Sequence, residues 1–244
     1  LKSNTTGDQN VAVGKGALTT DQKGFYSVAV GELALQSQAF TTATNAYNTA
    51  VGYNAGGGLA TGIENVAVGA LALDAAAANN YNVAVGYRAL SSDTRGHRSV
   101  AIGNDALLNQ NPATAFDVHN VAVGQNAGNQ ITTGYTNTIV GGLAGDAIST
   151  ADGNTVMGYG ALGAEAKGAK NTAIGQQALS EQSNSTTANP GNVAVGYQCH
   201  YSNLTGTSNT AMGTYAGYYV KSNNNTMIGY QAMNGNSSAN TTGS

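Results

Sequence analysis

The side chains with the most chemistry to offer are few and scattered. Three histidines, His97, His119 and His200, and one cysteine, Cys199, supply all the imidazole and thiol of the chain. A histidine acting as general base needs a nucleophile within hydrogen-bond reach and an acid to orient it. The nearest acids in sequence are Asp93, Asp105 and Asp117, and none completes a recognised base–nucleophile spacing. The three histidines lie in or near loops and read as solvated loop residues. Cys199–His200 is the one adjacent pair, yet both stand in repeat positions otherwise held by Ala and Leu or Gly. A buried substitution is expected there, not a thiolate nucleophile.

Metal and phosphate chemistry fare no better. Calcium-binding β-rolls place acids at one recurring position in G-G-x-G-x-D repeats, and no acid recurs at any one position here. Gly56-Gly57-Gly58 is followed by no Lys-Ser/Thr, so it reads as a turn and not as a phosphate loop. No catalytic, cofactor or metal site is expected, and the chain is not expected to be an enzyme. Only 12 acids are present and none pairs visibly across repeats, which argues against a polysaccharide-cleaving role.

Aromatic residues are the richer resource. Tyr follows a recurring Gly at Tyr53, Tyr87, Tyr159, Tyr197 and Tyr230, where packing between adjacent repeats is expected. Others decorate loops, at Tyr26, Tyr47, Tyr81, Tyr135, Tyr201, Tyr218 and Tyr219. Tyr joins an apolar ring to a polar tip, which suits recognition of a glycan or a protein as well as packing. The candidate receptor-binding residues are Phe40, Tyr47, Phe116, His119, Tyr201, Tyr218 and Tyr219.

What positions these residues is a repeat. Aligning the chain on the Gly that ends each V-x-V/I-G tetrad gives anchors at Gly14, Gly31, Gly52, Gly69, Gly86, Gly103, Gly124, Gly141, Gly158, Gly175, Gly196, Gly213 and Gly229. Successive gaps are 17 residues, except three of 21 and a last one of 16. Near-constant spacing of this kind marks a solenoid. Four before the Gly stands Asn, or Ser at Ser27 and Ser99; three before it is Val or Thr. One before it is Val, Ile or Met; three after it is Ala, except Cys199; four after it is Leu, Gly, Met233 or His200.

N-V-A-V-G alternates as a strand does, so Val11 and Val13 share one face while Asn10, Ala12 and Gly14 share the other. The Gly lets the chain turn, x-x-A-L adds a second short apolar step, and a polar loop returns it. Stacked at about 4.8 Å, thirteen such coils would make a rod on the order of 60 Å long. The Asn column suits either an amide ladder along the rod or the turn entering each strand. The 21-residue gaps recur every fourth coil, a 72-residue superperiod, and place extended loops at Gln36–Tyr47, Leu108–His119 and Ser180–Gly191. Regular stacking would put all three on one side.

The expected architecture is therefore all-β, a parallel β-solenoid or β-roll of about 13 coils with a 17-residue repeat. Residues 1–9 form a lead-in from a longer chain, 10–233 the solenoid and 234–244 a lead-out. With Val and Leu taken as the interior, the Asn-Ala-Gly face is left outside. That face is small and uncharged, suited to close approach of another chain, which points to an oligomer.

Composition narrows the partners. The chain has 34 Gly, no Trp, 9% charged residues and a net charge of −3 with Lys and Arg scattered singly, so nucleic-acid binding is not expected. No apolar run approaches the roughly 20 residues of a membrane span, so no membrane insertion is expected. A lone cysteine makes no internal disulfide, leaving stability to stacking and association.

The tetrads Asn10–Gly14, Asn65–Gly69, Asn82–Gly86 and Asn171–Gly175 resemble the head repeats of trimeric autotransporter adhesins. The longer N-T-A-I-G-x-Q-A-L at Asn171–Leu179 resembles repeats of bacteriophage tail fibres even more. The resemblance covers about residues 10–233, although the 17-residue coil is longer than the adhesin repeat and no coiled-coil stalk or anchor is present. It implies a homotrimer whose three chains wind around one axis in a left-handed roll. The implied function is a structural and adhesive segment of a phage tail fibre, located in the virion and contacting the host surface. The alternative owner is a bacterial surface adhesin head. A further reading is a monomeric β-solenoid that binds ice or a carbohydrate along a Thr face, Thr49, Thr138, Thr155, Thr172, Thr210 and Thr226.

Overall fold

Each V/T-x-V/I/M triplet before an anchor Gly forms a three-residue strand. The computed structural model describes residues 1–184 and 189–235, and the chain divides into two compact units, residues 1–120 and 121–244. In the first unit the strands Val11–Val13, Val28–Val30, Thr49–Val51, Val66–Val68, Val83–Val85 and Val100–Ile102 pair in that order, parallel and in register. In the second, Val121–Val123, Thr138–Val140, Thr155–Met157, Thr172–Ile174, Val193–Val195, Thr210–Met212 and Thr226–Ile228 do the same. Each strand meets the same triplet one coil later. The fold is an all-β parallel β-solenoid of about thirteen coils, with no helix among the described residues and so none able to cross a membrane. The lead-in joins the first unit, since the amides of Ser3 and Thr5 bond the carbonyls of Thr19 and Gln22. Most of the lead-out, and residues 185–188 of the Ser180–Gly191 loop, fall outside the described residues.

Four backbone positions per coil have positive φ, and only one is reserved for Gly. The anchor Gly sits near φ +130°, and a Cβ on Gly86 would stand 2.5 Å from the carbonyl oxygen of Gly103 in the next coil, so neither conformation nor space admits another residue. The other three positions are left-handed with ordinary side chains, as at Tyr81, Arg88 and Leu90 in one coil. Each such residue costs about 1–2 kcal/mol of strain, and the coil-to-coil hydrogen bonds, such as Leu90 N to Ala106 O at 3.0 Å, hold it in place.

The strand faces are the reverse of the expectation. The central residue of the triplet points inward, and Ala29, Ala50, Ala84, Ala101 and Ala122 are fully buried. None of the flanking Val, Thr, Ile or Met residues is buried. Strand alternation permits either facing, because a one-residue shift exchanges the two sets. Volume and hydrogen bonding decide between them. A 17-residue coil encloses little space, which two Ala, one Leu and the Asn already fill. The small face is therefore the core and cannot meet another chain; the outward face is apolar.

Burying the Asn is what closes each coil. Asn82 Oδ1 accepts from Ser99 N at 2.8 Å in the next coil, and Asn82 Nδ2 donates to Gly96 O at 2.9 Å. The same pair of bonds recurs at Asn10, with Ser27 N at 2.8 Å and Gly24 O at 2.7 Å, and at Asn192, with Asn209 N at 2.9 Å and Gly206 O at 2.7 Å. The Asn column is thus a ladder of side chain to backbone, interrupted at Ser27 and Ser99, whose hydroxyls bond Gln38 and Gln110 instead.

Seven residues after each anchor lies a second inward column. It reads Asp21, Gln38, Leu59, Ala76, Asp93, Gln110, then Ile131, Ile148, Glu165, Gln182, Asn203, Val220, all buried. Acids do recur in it, at Asp21, Asp93 and Glu165, 72 residues apart, which corrects the reading that no acid holds a repeated position. Each carboxylate receives a Gln from the following, extended coil: Gln38 Nε2 to Asp21 at 3.2 Å, Gln110 Nε2 to Asp93 at 2.5 Å and Gln182 Nε2 to Glu165 at 2.7 Å. Backbone amides complete the shell, from Phe40 onto Asp21 and from Arg95 and Gly96 onto Asp93. In the first unit the extra loop residues also build two-residue parallel pairs, Gly24–Phe25 with Thr44–Asn45 and Gly96–His97 with Phe116–Asp117. The buried carboxylates therefore fasten the base of the extended loops.

Candidate functional site

Equivalent positions of successive coils lie one above another, so equal residue types at one position form a column. Tyr201 and Tyr218 each stand five residues after an anchor Gly, and their rings stack at 4.9 Å with an interplanar angle of 11°. Tyr219 meets Tyr218 edge-on at 4.5 Å. Tyr215 is the hub: its ring contacts Tyr197 at 5.4 Å, Tyr218 at 5.9 Å and Tyr230 at 6.5 Å. Six tyrosines thus share one surface of the second unit. Three of them, Tyr215, Tyr218 and Tyr219, with Gln198, Gln231 and Asn234, line an open hollow of about 210 Å³.

The polar fringe is built from amides. Gln198 Nε2 donates to Gln177 Oε1 at 2.6 Å, which leaves the Gln198 carbonyl oxygen for another donor. Asn234 Oδ1 is enclosed and has no hydrogen-bond partner. Glu181 is held by Ser202 Oγ at 2.7 Å. Loss of water around the ring, and then the neighbouring phenols Tyr197 and Tyr230, push the Tyr215 hydroxyl above its ordinary value. Desolvation followed by Tyr201, Tyr219 and Glu181 does the same at Tyr218. Both stay protonated at neutral pH and can donate hydrogen bonds. Two other hollows in this unit lack such a cluster of rings: one is lined by Asn126, Asn129, Gln130, Asp146 and Ala147, and the other has the single ring of Tyr135.

No family model, curated protein or solved structure matches this chain.

The sequence-predicted residues separate into two groups. Tyr201, Tyr218 and Tyr219 come together in the cluster. Tyr47 is exposed and stacks on Tyr26 at 4.9 Å, extending a column in the first unit. In the same unit Arg98 lies 4.5 Å over the Tyr81 ring and 3.0 Å from Asp117, which approaches exposed His119 at 4.0 Å. Phe116 is half-buried in its short strand. Phe40 is buried, 6% exposed, under the extended loop, and offers no surface to a partner. The five Gly-following tyrosines, expected to pack between coils, project outward at 39–71% exposure.

Tyr215, Gln198, Gln231 and Asn234 were not singled out from the sequence. Gln198, Tyr215 and Gln231 all stand two residues after an anchor, and tabulating that column would have exposed them.

The groups with catalytic potential have structural roles. His97 Nδ1 accepts from Asn80 N at 3.1 Å. Cys199 is buried and its thiol is pushed up to about 11 by desolvation, so it is a protonated filler. His200 is fully buried, which corrects its reading as a solvated loop residue and matches the buried substitution. Burial drives its imidazole down to about 4, against a smaller pull from Asn203. Neither ring nitrogen finds a well-aligned partner, because the Asn203 amide is spent on Gly206 O at 3.0 Å and Gln182 at 3.4 Å while its oxygen accepts from Gly206 N. Among the described residues, no three His, Cys, Asp or Glu side chains converge to hold a metal.

Proposed function

We propose that this chain is a structural and adhesive segment of a homotrimeric fibre that attaches to a host-cell surface, most closely the shaft or receptor-binding region of a phage tail fibre. The observation that carries the reading is the outward face of the triplet strands. Val13 is 57% exposed, Met157 48%, Met212 47% and Ile228 67%, and no charged residue occupies any of these positions in thirteen coils. Parallel sheets ordinarily bury both faces, and an apolar column of this length marks an association surface. Three chains packed through these columns would bury them, leaving loops and tyrosines outside in three copies. Weak contacts then add through multivalency. The likeness of the Asn171–Leu179 repeat to tail-fibre repeats supports the owner.

A second reading has one observation in its favour. Thr138, Thr155, Thr172, Thr210 and Thr226 all lie on the outward face of the second unit, as a monomeric solenoid that binds ice or carbohydrate on a flat face would require. The neighbouring column weakens it, because Met157 and Met212 are long, flexible side chains that break a regular array. Solution mass separates the two readings: a trimer supports the fibre, and a monomer with thermal hysteresis supports the flat binding face.

A further inference from the structure

We propose that the tyrosine cluster spanning Tyr197 to Asn234 is a binding site for an uncharged pyranose sugar displayed on a surface glycan. The proposal rests on the attachment reading above and names the ligand class for it. A pyranose has an apolar C–H face and a rim of hydroxyls that both donate and accept hydrogen bonds. The site offers the complement of each part. Its walls are the rings of Tyr215, Tyr218 and Tyr219, already fixed by mutual contacts at 4.5 and 5.9 Å, so little side-chain freedom is lost when a sugar stacks on them. Its rim is Gln198, Gln231 and Asn234.

The rim adds hydrogen-bonding capacity. Gln198 Nε2 is engaged by Gln177 Oε1, which leaves the Gln198 side-chain oxygen as an acceptor, and the protonated phenols of Tyr215 and Tyr218 are donors. Size agrees as well. A hollow of about 210 Å³ is below the roughly 300–1,000 Å³ of drug-sized sites and suits one ring at a time.

Charge selects among sugars. No Lys or Arg lines the hollow, and Glu181 lies beside Tyr218. A carboxylate or sulfate on the ligand would meet no cation and one anion, so a neutral hexose or N-acetylhexosamine is favoured over an acidic sugar. A peptide partner is disfavoured because no aliphatic side chain lines the hollow to receive one.

Saturation-transfer NMR on the whole chain tests this. The probes are methyl β-galactopyranoside, methyl β-glucopyranoside, methyl α-mannopyranoside and N-acetylglucosamine, with N-acetylneuraminic acid and a proline-rich peptide as the competing classes. At least one neutral pyranoside is expected to show transfer to its ring C–H protons. The signal should fall about tenfold in Tyr218→Ala and in Gln231→Ala, the latter an exposed rim change that leaves the core intact, and should persist in Tyr53→Ala. Transfer to no neutral sugar, transfer equal in wild type and Gln231→Ala, or transfer only to the acidic sugar or the peptide would overturn the proposal. The fibre reading fails separately: a trimer silent to every sugar removes this site alone, and a monomer that binds sugar removes the fibre alone.

Discussion

Ile148 fills the space over Gly145: a Cβ on that glycine would stand 2.8 Å from the Ile148 Cδ1 atom. Gly56 and Leu59 repeat the relationship, with a Cβ–Cδ1 approach of 3.1 Å. Elsewhere the volumes are exchanged, as in fully buried Leu73 with Ala76. In the coils of Gly52 and Gly69, where Ala50 and Ala67 stand at the strand centre, the interior thus holds one Leu, supplied seven or four residues after the anchor. The Gly141 coil, by contrast, buries Ile139 beside Ile148.

The exchange predicts a compensating pair. In the coil with Ala50 at its strand centre, Gly56→Leu alone overpacks the interior and should destabilise by about 1–3 kcal/mol, and Leu59→Ala alone leaves a cavity worth about 2–5 kcal/mol. The double variant reproduces the Leu73–Ala76 arrangement and should regain most of the loss, since Leu at this position already adopts φ near +50° elsewhere in the chain. Denaturant midpoints of the three variants check it. Losses that simply add would contradict the shared-volume account.

The Asn ladder predicts that Asn82→Ala leaves Ser99 N–H and Gly96 C=O without partners inside the coil, at a cost of about 2–4 kcal/mol. Asn82→Ser should not restore these bonds, because the hydroxyls of Ser27 and Ser99 at this position turn to Gln38 and Gln110 and not to the next coil's backbone. Urea unfolding followed by circular dichroism orders the variants; an alanine variant as stable as wild type would show the ladder to be incidental.

Buried His200 predicts acid sensitivity. Its folded-state value of about 4 lies below the ordinary 6.5, so between those values the unfolded chain binds the extra proton. Its contribution is complete above pH 6.5 and is lost progressively as pH falls toward 4, by about 3 kcal/mol in total. His200→Leu, which restores the residue usual at this position, should flatten the stability difference across that window. Parallel pH profiles of wild type and variant would remove His200 as the cause.

The repeat made coil number and strand positions legible, because every coil needs Gly, and all but two need Asn, at fixed places for its backbone bonds. Which face points inward was not legible from hydrophobicity, which favours Val over Ala. The narrow interior and the two backbone bonds of each Asn outweigh that preference, and both are properties of the closed coil. The second inward column escaped notice because Asp21, Leu59 and Ala76 share no chemical type; only the 72-residue superperiod relates Asp21 to Asp93 and Glu165. Tyrosine loops were recognised as surface chemistry, yet Tyr215, the centre of the cluster, has meaning only through the rings stacked around it.

The most direct test of the fibre account is the solution mass of residues 1–244 by light scattering, for the wild type and for Ile102→Glu/Met157→Glu on the outward face. The account predicts three times the 24.4 kDa chain mass for the wild type and dissociation of the charged variant without loss of its β-signal. A wild-type mass of one chain, or a trimer indifferent to both charges, would contradict it.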